Sequence, residues 1–197
     1  MSKHHRNRNW APAPQPLPED AHVIDNHTHV ASVVPFSQAM SHEAMEKGQG
    51  EVPVYSVDEL LEQAQKVSVE GVIDCGCELP NLMTAIDMAR EHPGTVHAAI
   101  AIHPNEAVLH GHRGAPGPDG LPIKYKPWHD IPFDEAMAEV HRLATTYPNQ
   151  VVAIGETGMD LFRTGESAKE LQREAFRAHI ALAKELNLPM RIHDRDS

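Results

Sequence analysis

The chain is poor in cysteine: 197 residues contain two, Cys75 and Cys77. They lie one residue apart in "IDCGC", too close for an ordinary structural bridge. Nothing therefore suggests a secreted disulfide scaffold. Strand periodicity puts both thiols on one face of an apolar strand, where small buried cysteines are common. Zinc held by this pair is the weaker alternative, because no further cysteine accompanies it. Long apolar runs are also missing, so neither a signal peptide nor a membrane span is expected, and the cytoplasm is the expected compartment. Positive charge is scarce: the net charge of −11 argues against a simple basic coat for nucleic acid. It does not argue against a nuclease, since bound metal ions supply local positive charge. Finally, no glycine-rich phosphate fingerprint follows the first strand.

The start, "MSKHHRNRNWAPAPQPLPED", is basic and then proline-rich. Residues 1–21 read as a flexible tail, whose Lys3, Arg6 and Arg8 either brush an anionic partner or are merely solvated. Residues 22–197 read as one barrel domain. Short apolar runs recur at 22–25, 71–76, 96–102, 151–155 and 188–192, each with the look of a buried strand. Helical patterns separate most of them. Ser56 and Glu59 have capping-box spacing, as do Ser167 and Glu170, and Asn81 is a candidate cap. Leu171, Ala175, Ala178, Leu182 and Leu186 form the stripe of the last helix.

Strands alternating with helices mean parallel βαβ units, in an open doubly wound sheet or a (β/α)8 barrel. Polar residues at the C-terminal ends of several different strands favour the barrel, because barrel active sites gather there. "VIDNHTHV" carries Asp25, His27 and His29 at alternate positions, so a strand projects all three to one side. Other exits bring His103, Glu156, His193 and Arg195. Singly, each has a structural explanation: a hydrogen-bonded histidine, or a helix-cap glutamate. Jointly, they supply nitrogen and oxygen ligands suited to Zn²⁺, Mn²⁺ or a similar ion. Asp25 is expected to orient a histidine and Asp160 to form a turn. Arg163 and Arg195 offer guanidinium forks for phosphate, with surface ion pairs as the alternative.

After His103 comes a long Gly/Pro-rich loop, "GHRGAPGPDGLPIKYKPWHD". Its Lys124, Tyr125, Lys126 and Trp128 interleave cations with aromatics, a pattern that suits single-stranded nucleic acid. An insertion without a role is the other reading.

The motifs "DNHTHV", "GVIDCG", "IHPNEA", "VVAIGETGMDLFR" and "LQREAFRAHIALAKELNLPMRIHDR" resemble the TatD-type metal-dependent deoxyribonucleases of the amidohydrolase-like superfamily, from about Val23 to the last residue. The resemblance implies a TIM-type barrel that cleaves DNA phosphodiester bonds, as an exonuclease, with two divalent ions (Mg, Mn or Zn). It gives His27 and His29 to the first metal, Glu156 to both as the catalytic bridging carboxylate, and His193 to the second. Apart from the resemblance, His103 reads as a ligand or a supporting neighbour that contacts substrate, and Arg163 and Arg195 read as substrate contacts through phosphate. DNA is the expected partner, with no membrane and no obligate protein partner.

The family also uses a later histidine and a late aspartate, which this sequence does not contain. The expectation is thus an α/β barrel truncated after strand five, with little nuclease activity until the family-like remainder is added. Two alternatives stand beside the nuclease. One is a related hydrolase of a small-molecule ester or amide, although such relatives often place lysine where Glu156 stands. The other is an inactive metal-binding fragment.

Overall fold

The five expected strands are present in a computed structural model of the chain, which describes residues 18, 21–48 and 52–197. They are β1 (Val23–Thr28), β2 (Val69–Gly76), β3 (Val96–Ile100), β4 (Val151–Asp160) and β5 (Met190–Arg195). They form one parallel sheet in the order β1-β2-β3-β4-β5. Consecutive parallel neighbours require crossovers, and helices supply them: α3 (Leu79–Glu91), α5 (Phe133–Thr146) and α6 (Lys169–Leu186). A short helix, α4 (Pro104–Ala107), follows β3 directly. The architecture is therefore α/β, with the sequential order that a barrel wall requires. The expected tail role for Lys3, Arg6 and Arg8 lies outside the described residues.

The chain divides into two compact units. The first holds α1 (Val30–Glu46) and α2 (Val57–Gln65). In α2 the capping box forms as expected: the Ser56 hydroxyl accepts from the Glu59 amide at 3.2 Å, and the Glu59 carboxylate accepts from the Ser56 amide at 2.8 Å. The second unit comprises Asp25–His29 and Gly71–Ser197 and carries every candidate site residue.

In that second unit β3 is buried on both faces, as a central parallel strand must be. Val96, Ala98 and Ile100 are shielded along with Leu82, Ala85 and Ile86 of α3 and Val140 and Leu143 of α5. Each large aliphatic side chain buried here stabilises the fold by roughly 1.5–3 kcal/mol. A separate cluster is built from small residues: Cys75, Ala99 and Ala153, with Ile73 and Cys77 packed on it.

Two helix starts differ from the sequence reading. Asn81 is not the cap of α3; Glu78 holds that position, and the Asn81 side chain accepts from the amides of Cys77 and Glu78, both at 2.8 Å. Ser167 does not form a capping box with Glu170, because Glu166–Ala168 make a 3-10 turn and α6 starts at Lys169. The buried stripe of α6 is Gln172, Ala175, His179, Leu182 and Ala183. It includes two polar residues that an apolar-only pattern passes over.

Candidate metal centre

Glu156 is the hub. Its carboxylate is buried, with 7% of the residue exposed. The pairing of β4 with β5 shifts register between Ile154 and Thr157, so Gly155 and Glu156 fall outside the regular ladder. Such a bulge re-aims a side chain beside a site. Only glycine fits at 155: a Cβ there would stand 2.4 Å from Arg191 Cβ and 2.8 Å from Arg191 O.

The two carboxylate oxygens face different partners. Oε1 lies 2.5 Å from His193 Nδ1 and 4.0 Å from His103 Nε2. Oε2 lies 3.5 Å from His27 Nε2, 3.8 Å from His29 Nε2 and 3.8 Å from Cys77 Sγ. The result is two overlapping sets of donors, His27–His29–Glu156 and His103–Glu156–His193. Within each set the ligand atoms lie within 4.8 Å of one another. Imidazole nitrogens and a carboxylate are the donor types that zinc, manganese and similar ions take. The four residues expected to converge, His27, His29, Glu156 and His193, do so. His103, read from sequence as a substrate contact, is geometrically part of the second donor set.

Electrostatics favour the ligand-competent protonation states. Burial, then the neighbouring His193, pushes the His103 imidazole down to about 4. His27 is also lowered, by burial first; Glu156 opposes this and the Arg191 cation reinforces it. For Glu156 burial works against the charged form, yet the hydrogen bond from His193 and the charges of His103, His193 and His27 win, so its carboxyl sits below the usual range. A neutral His103 beside an ionised Glu156 suits a bound cation. Below them, burial raises the thiol of Cys75 to about 11, although the Arg191 side chain hydrogen-bonds to it.

The support around His193 was only partly legible. Asp160 does form a turn, its Oδ1 accepting from the Phe162 and Arg163 amides at 3.1 and 2.9 Å. Its other oxygen meets His193 Nε2 at 3.1 Å and accepts from Asn105 Nδ2 at 2.8 Å. Gln172 then holds the Asp160 backbone from both sides, donating to its carbonyl at 3.0 Å and accepting from its amide at 2.9 Å. Carboxylate–histidine pairs of this type fix ring orientation behind a metal ligand. Asp25, expected to orient a histidine, accepts a hydrogen bond from the His27 backbone amide at 3.0 Å.

The arginines point elsewhere. Arg163 Nε lies 3.8 Å from Asp119, and the Arg195 guanidinium sits over the Phe162 ring at 4.0 Å. The long loop after β3 is ordered and tied down. Pro116 bridges to Thr164, and the Asp119 amide donates to Phe162 O at 3.1 Å. His129 is buried; its Nδ1 accepts from the Lys126 amide at 2.9 Å, so Nε2 carries the proton and donates to Glu106 at 2.7 Å. Trp128 donates to the same Glu106 oxygen at 3.3 Å. Tyr125 stacks on His112 at 4.3 Å between centroids, and Lys126 covers the Trp128 ring at 5.8 Å. The aromatic faces offered to nucleic acid by the sequence reading thus have partners within the loop.

Among the described residues, no helix is long and apolar enough to cross a membrane. Residues 24–197 match the family model described as TatD related DNase. The chain is 33% identical over 141 residues to the uncharacterized metal-dependent hydrolase YabD of Bacillus subtilis, covering 72% of this chain and 45% of YabD. It is 31% identical over 140 residues to the 3'-5' ssDNA/RNA exonuclease TatD of Erwinia tasmaniensis, covering 71% and 44%. The chain thus spans less than half the length of these curated relatives. Its fold matches the crystal structure of YJJV, a TatD homolog from Escherichia coli, with TM-score 0.57, 23% identity, and coverage of 88% of this chain and 51% of that one. A hydrolase TatD family protein from Entamoeba histolytica matches at TM-score 0.61 and 20% identity, over 89% and 50%. With the family model running from the first strand to the last residue over the same histidines and glutamate, the chain belongs to the TatD-related DNase family.

Proposed function

We propose that this chain carries metal-binding residues of a two-metal hydrolase that cleaves phosphodiester bonds of single-stranded nucleic acid. The observation that carries the reading is the division of labour at Glu156. One oxygen faces His27 and His29, the other His103 and His193. A carboxylate shared by two sets of imidazoles is the arrangement that holds two cations side by side. The name of the Erwinia relative supports the substrate class.

His27 and His29 would hold one ion, His193 with His103 the other, and Glu156 both. Divalent ions so held supply Lewis acidity and an acidified water for attack on phosphorus. The protein's own groups do the rest. Asp160 holds the His193 ring through Nε2, which leaves Nδ1 aimed at Glu156 and the ion position beside it. His103 stays neutral, because burial disfavours its charged form. Arg163, half exposed at the rim, offers a guanidinium to a phosphate oxygen if it releases Asp119. Glutamate rather than lysine at the hub favours this reading over hydrolysis of a small-molecule ester or amide.

The test is release of nucleotides from labelled single-stranded DNA and RNA with Mg²⁺, Mn²⁺ or Zn²⁺. It should be run on this chain alone and on the chain extended by the remaining segment of a relative. Metal-dependent release that chelator abolishes is expected, strongest in the extended form. No hydrolysis in either form with any of the three metals rejects the reading.

A further inference from the structure

A cleft of about 470 Å³ opens beside the metal centre, between the loop after β3 and the segment after β4. It reaches His103 and Cys77, which both face Glu156, so it is continuous with the donor cluster. Its volume lies in the range of small-ligand sites. Its wall is preformed. The Ala115 carbonyl accepts from the Gly165 amide at 3.1 Å, and Gly117 packs so closely that an added Cβ would stand 2.2 Å from the Arg163 carbonyl carbon.

The lining has three chemical parts. Leu109, Leu121 and Ile123 are apolar. Lys124 and Arg163 are cationic. Glu78, Glu106 and Asp119 are carboxylates; Asp119 lies 3.8 Å from Arg163, and the charge of Glu106, after burial, helps hold the Glu78 carboxyl above its usual range. The bonds from His129 and Trp128 both fall on Glu106 Oε2. Glu106 is thereby fixed in place with Oε1 outside those two bonds. Apolar walls suit a flat ring and cations suit a phosphate. Ionised carboxylates accept hydrogen bonds and donate none.

We propose that this cleft is a nucleobase subsite that selects bases bearing an exocyclic amine over thymine. The proposal rests on the nucleic-acid reading of the metal centre and adds to it a base preference and the residues that set it. Cytosine presents an amino group where thymine presents a carbonyl oxygen. Against Glu78 and Glu106 the amine gains an acceptor. The carbonyl meets a second acceptor and stays unsatisfied, which is the expensive outcome in a half-buried site.

The test is calorimetric titration of the 197-residue chain, with Mg²⁺ present, using deoxycytidine monophosphate, deoxythymidine monophosphate and deoxyribose 5-phosphate. The cytidine nucleotide should bind about tenfold more tightly than the thymidine nucleotide, the effect of one good base contact, and the baseless sugar phosphate most weakly. Glu78→Gln should remove most of the cytosine–thymine difference and leave metal affinity unchanged. Equal affinity for all three compounds overturns the proposal, and the wild-type series decides this even if the variant does not fold. The hydrolysis assay separates this result from the parent reading. Nucleotide release with no base discrimination in binding sinks the subsite and leaves the nuclease. Base-selective binding with no hydrolysis in either form supports the subsite and sinks the nuclease.

Discussion

Replacing Glu156 with glutamine probes the hub with little change in volume. The amide keeps one oxygen acceptor but loses the negative charge and the symmetry of two equivalent oxygens. In the metal-free protein the consequences partly cancel. Removing a carboxylate that is 7% exposed relieves its desolvation, while the charge-assisted bond with His193 at 2.5 Å is lost. Such bonds contribute about 1.5–3 kcal/mol, so the net change in stability should stay within about 2 kcal/mol and the fold should persist. Metal binding has no such compensation. The remaining amide oxygen can serve at most one donor set as a neutral ligand, and the charge balancing two cations is gone. Loss of a mere outer partner lowers metal affinity about 10–100-fold, and loss of a shared ligand should exceed that for both ions. The assay is competitive chelator titration with elemental analysis, alongside a thermal melt. A glutamine variant that binds metal with wild-type stoichiometry and affinity would refute the reasoning.

Other perturbations follow from the same geometry. Acid should destabilise the chain: His103 and His179 are each pushed by burial to about 4, below the unfolded value near 6.5, so the unfolded state binds more protons. Their stabilising effect is complete above about pH 6.5 and is lost as pH falls toward 4, roughly 3 kcal/mol for each, so the melting temperature should drop steadily across that window. His179→Ala should flatten that pH dependence and lower stability by about 2–4 kcal/mol at neutral pH, since Ile102 N–H loses its 3.1 Å partner; an unchanged melt would contradict it. Gly155→Ala should destabilise by about 1–3 kcal/mol and reduce metal stoichiometry, because its Cβ would stand 2.4 Å from Arg191 Cβ. Gln172→Leu strips three hydrogen bonds from Asp160 and Thr164; a loss of about 2–4 kcal/mol is expected by denaturant titration, together with weaker metal binding through His193.

β2, β3 and β4 were readable because parallel strands buried on both faces are short apolar runs, whereas β1 and β5 are mostly exposed and were placed from briefer runs. The histidines and the glutamate were readable because strand exits share one end of a parallel sheet. What escaped has physical causes. Helix α1 was not anticipated, since "VASVVPFSQAM" is rich in β-branched residues and contains Pro35. The strand reading stopped at Gly155, but β4 continues to Asp160 through Gly155 and Gly158, which hold the close approach to β5. Gln172 and His179 are polar members of a buried stripe, and their partners lie on other elements. His103 was found, but its membership of a donor set depends on a 4.4 Å ring contact with His193, ninety positions away. The two arginines were assigned to phosphate from residue type alone, and Asp119 and Phe162 as their neighbours are tertiary facts.

The central claim is that one carboxylate joins two metal sites. Titration of the chain with Mn²⁺, followed by electron paramagnetic resonance, tests it most directly. Two ions bridged by Glu156 should give a spin-coupled dinuclear spectrum that collapses to uncoupled signals in Glu156→Gln. A wild-type spectrum showing a single isolated ion, or two ions without coupling, would contradict it.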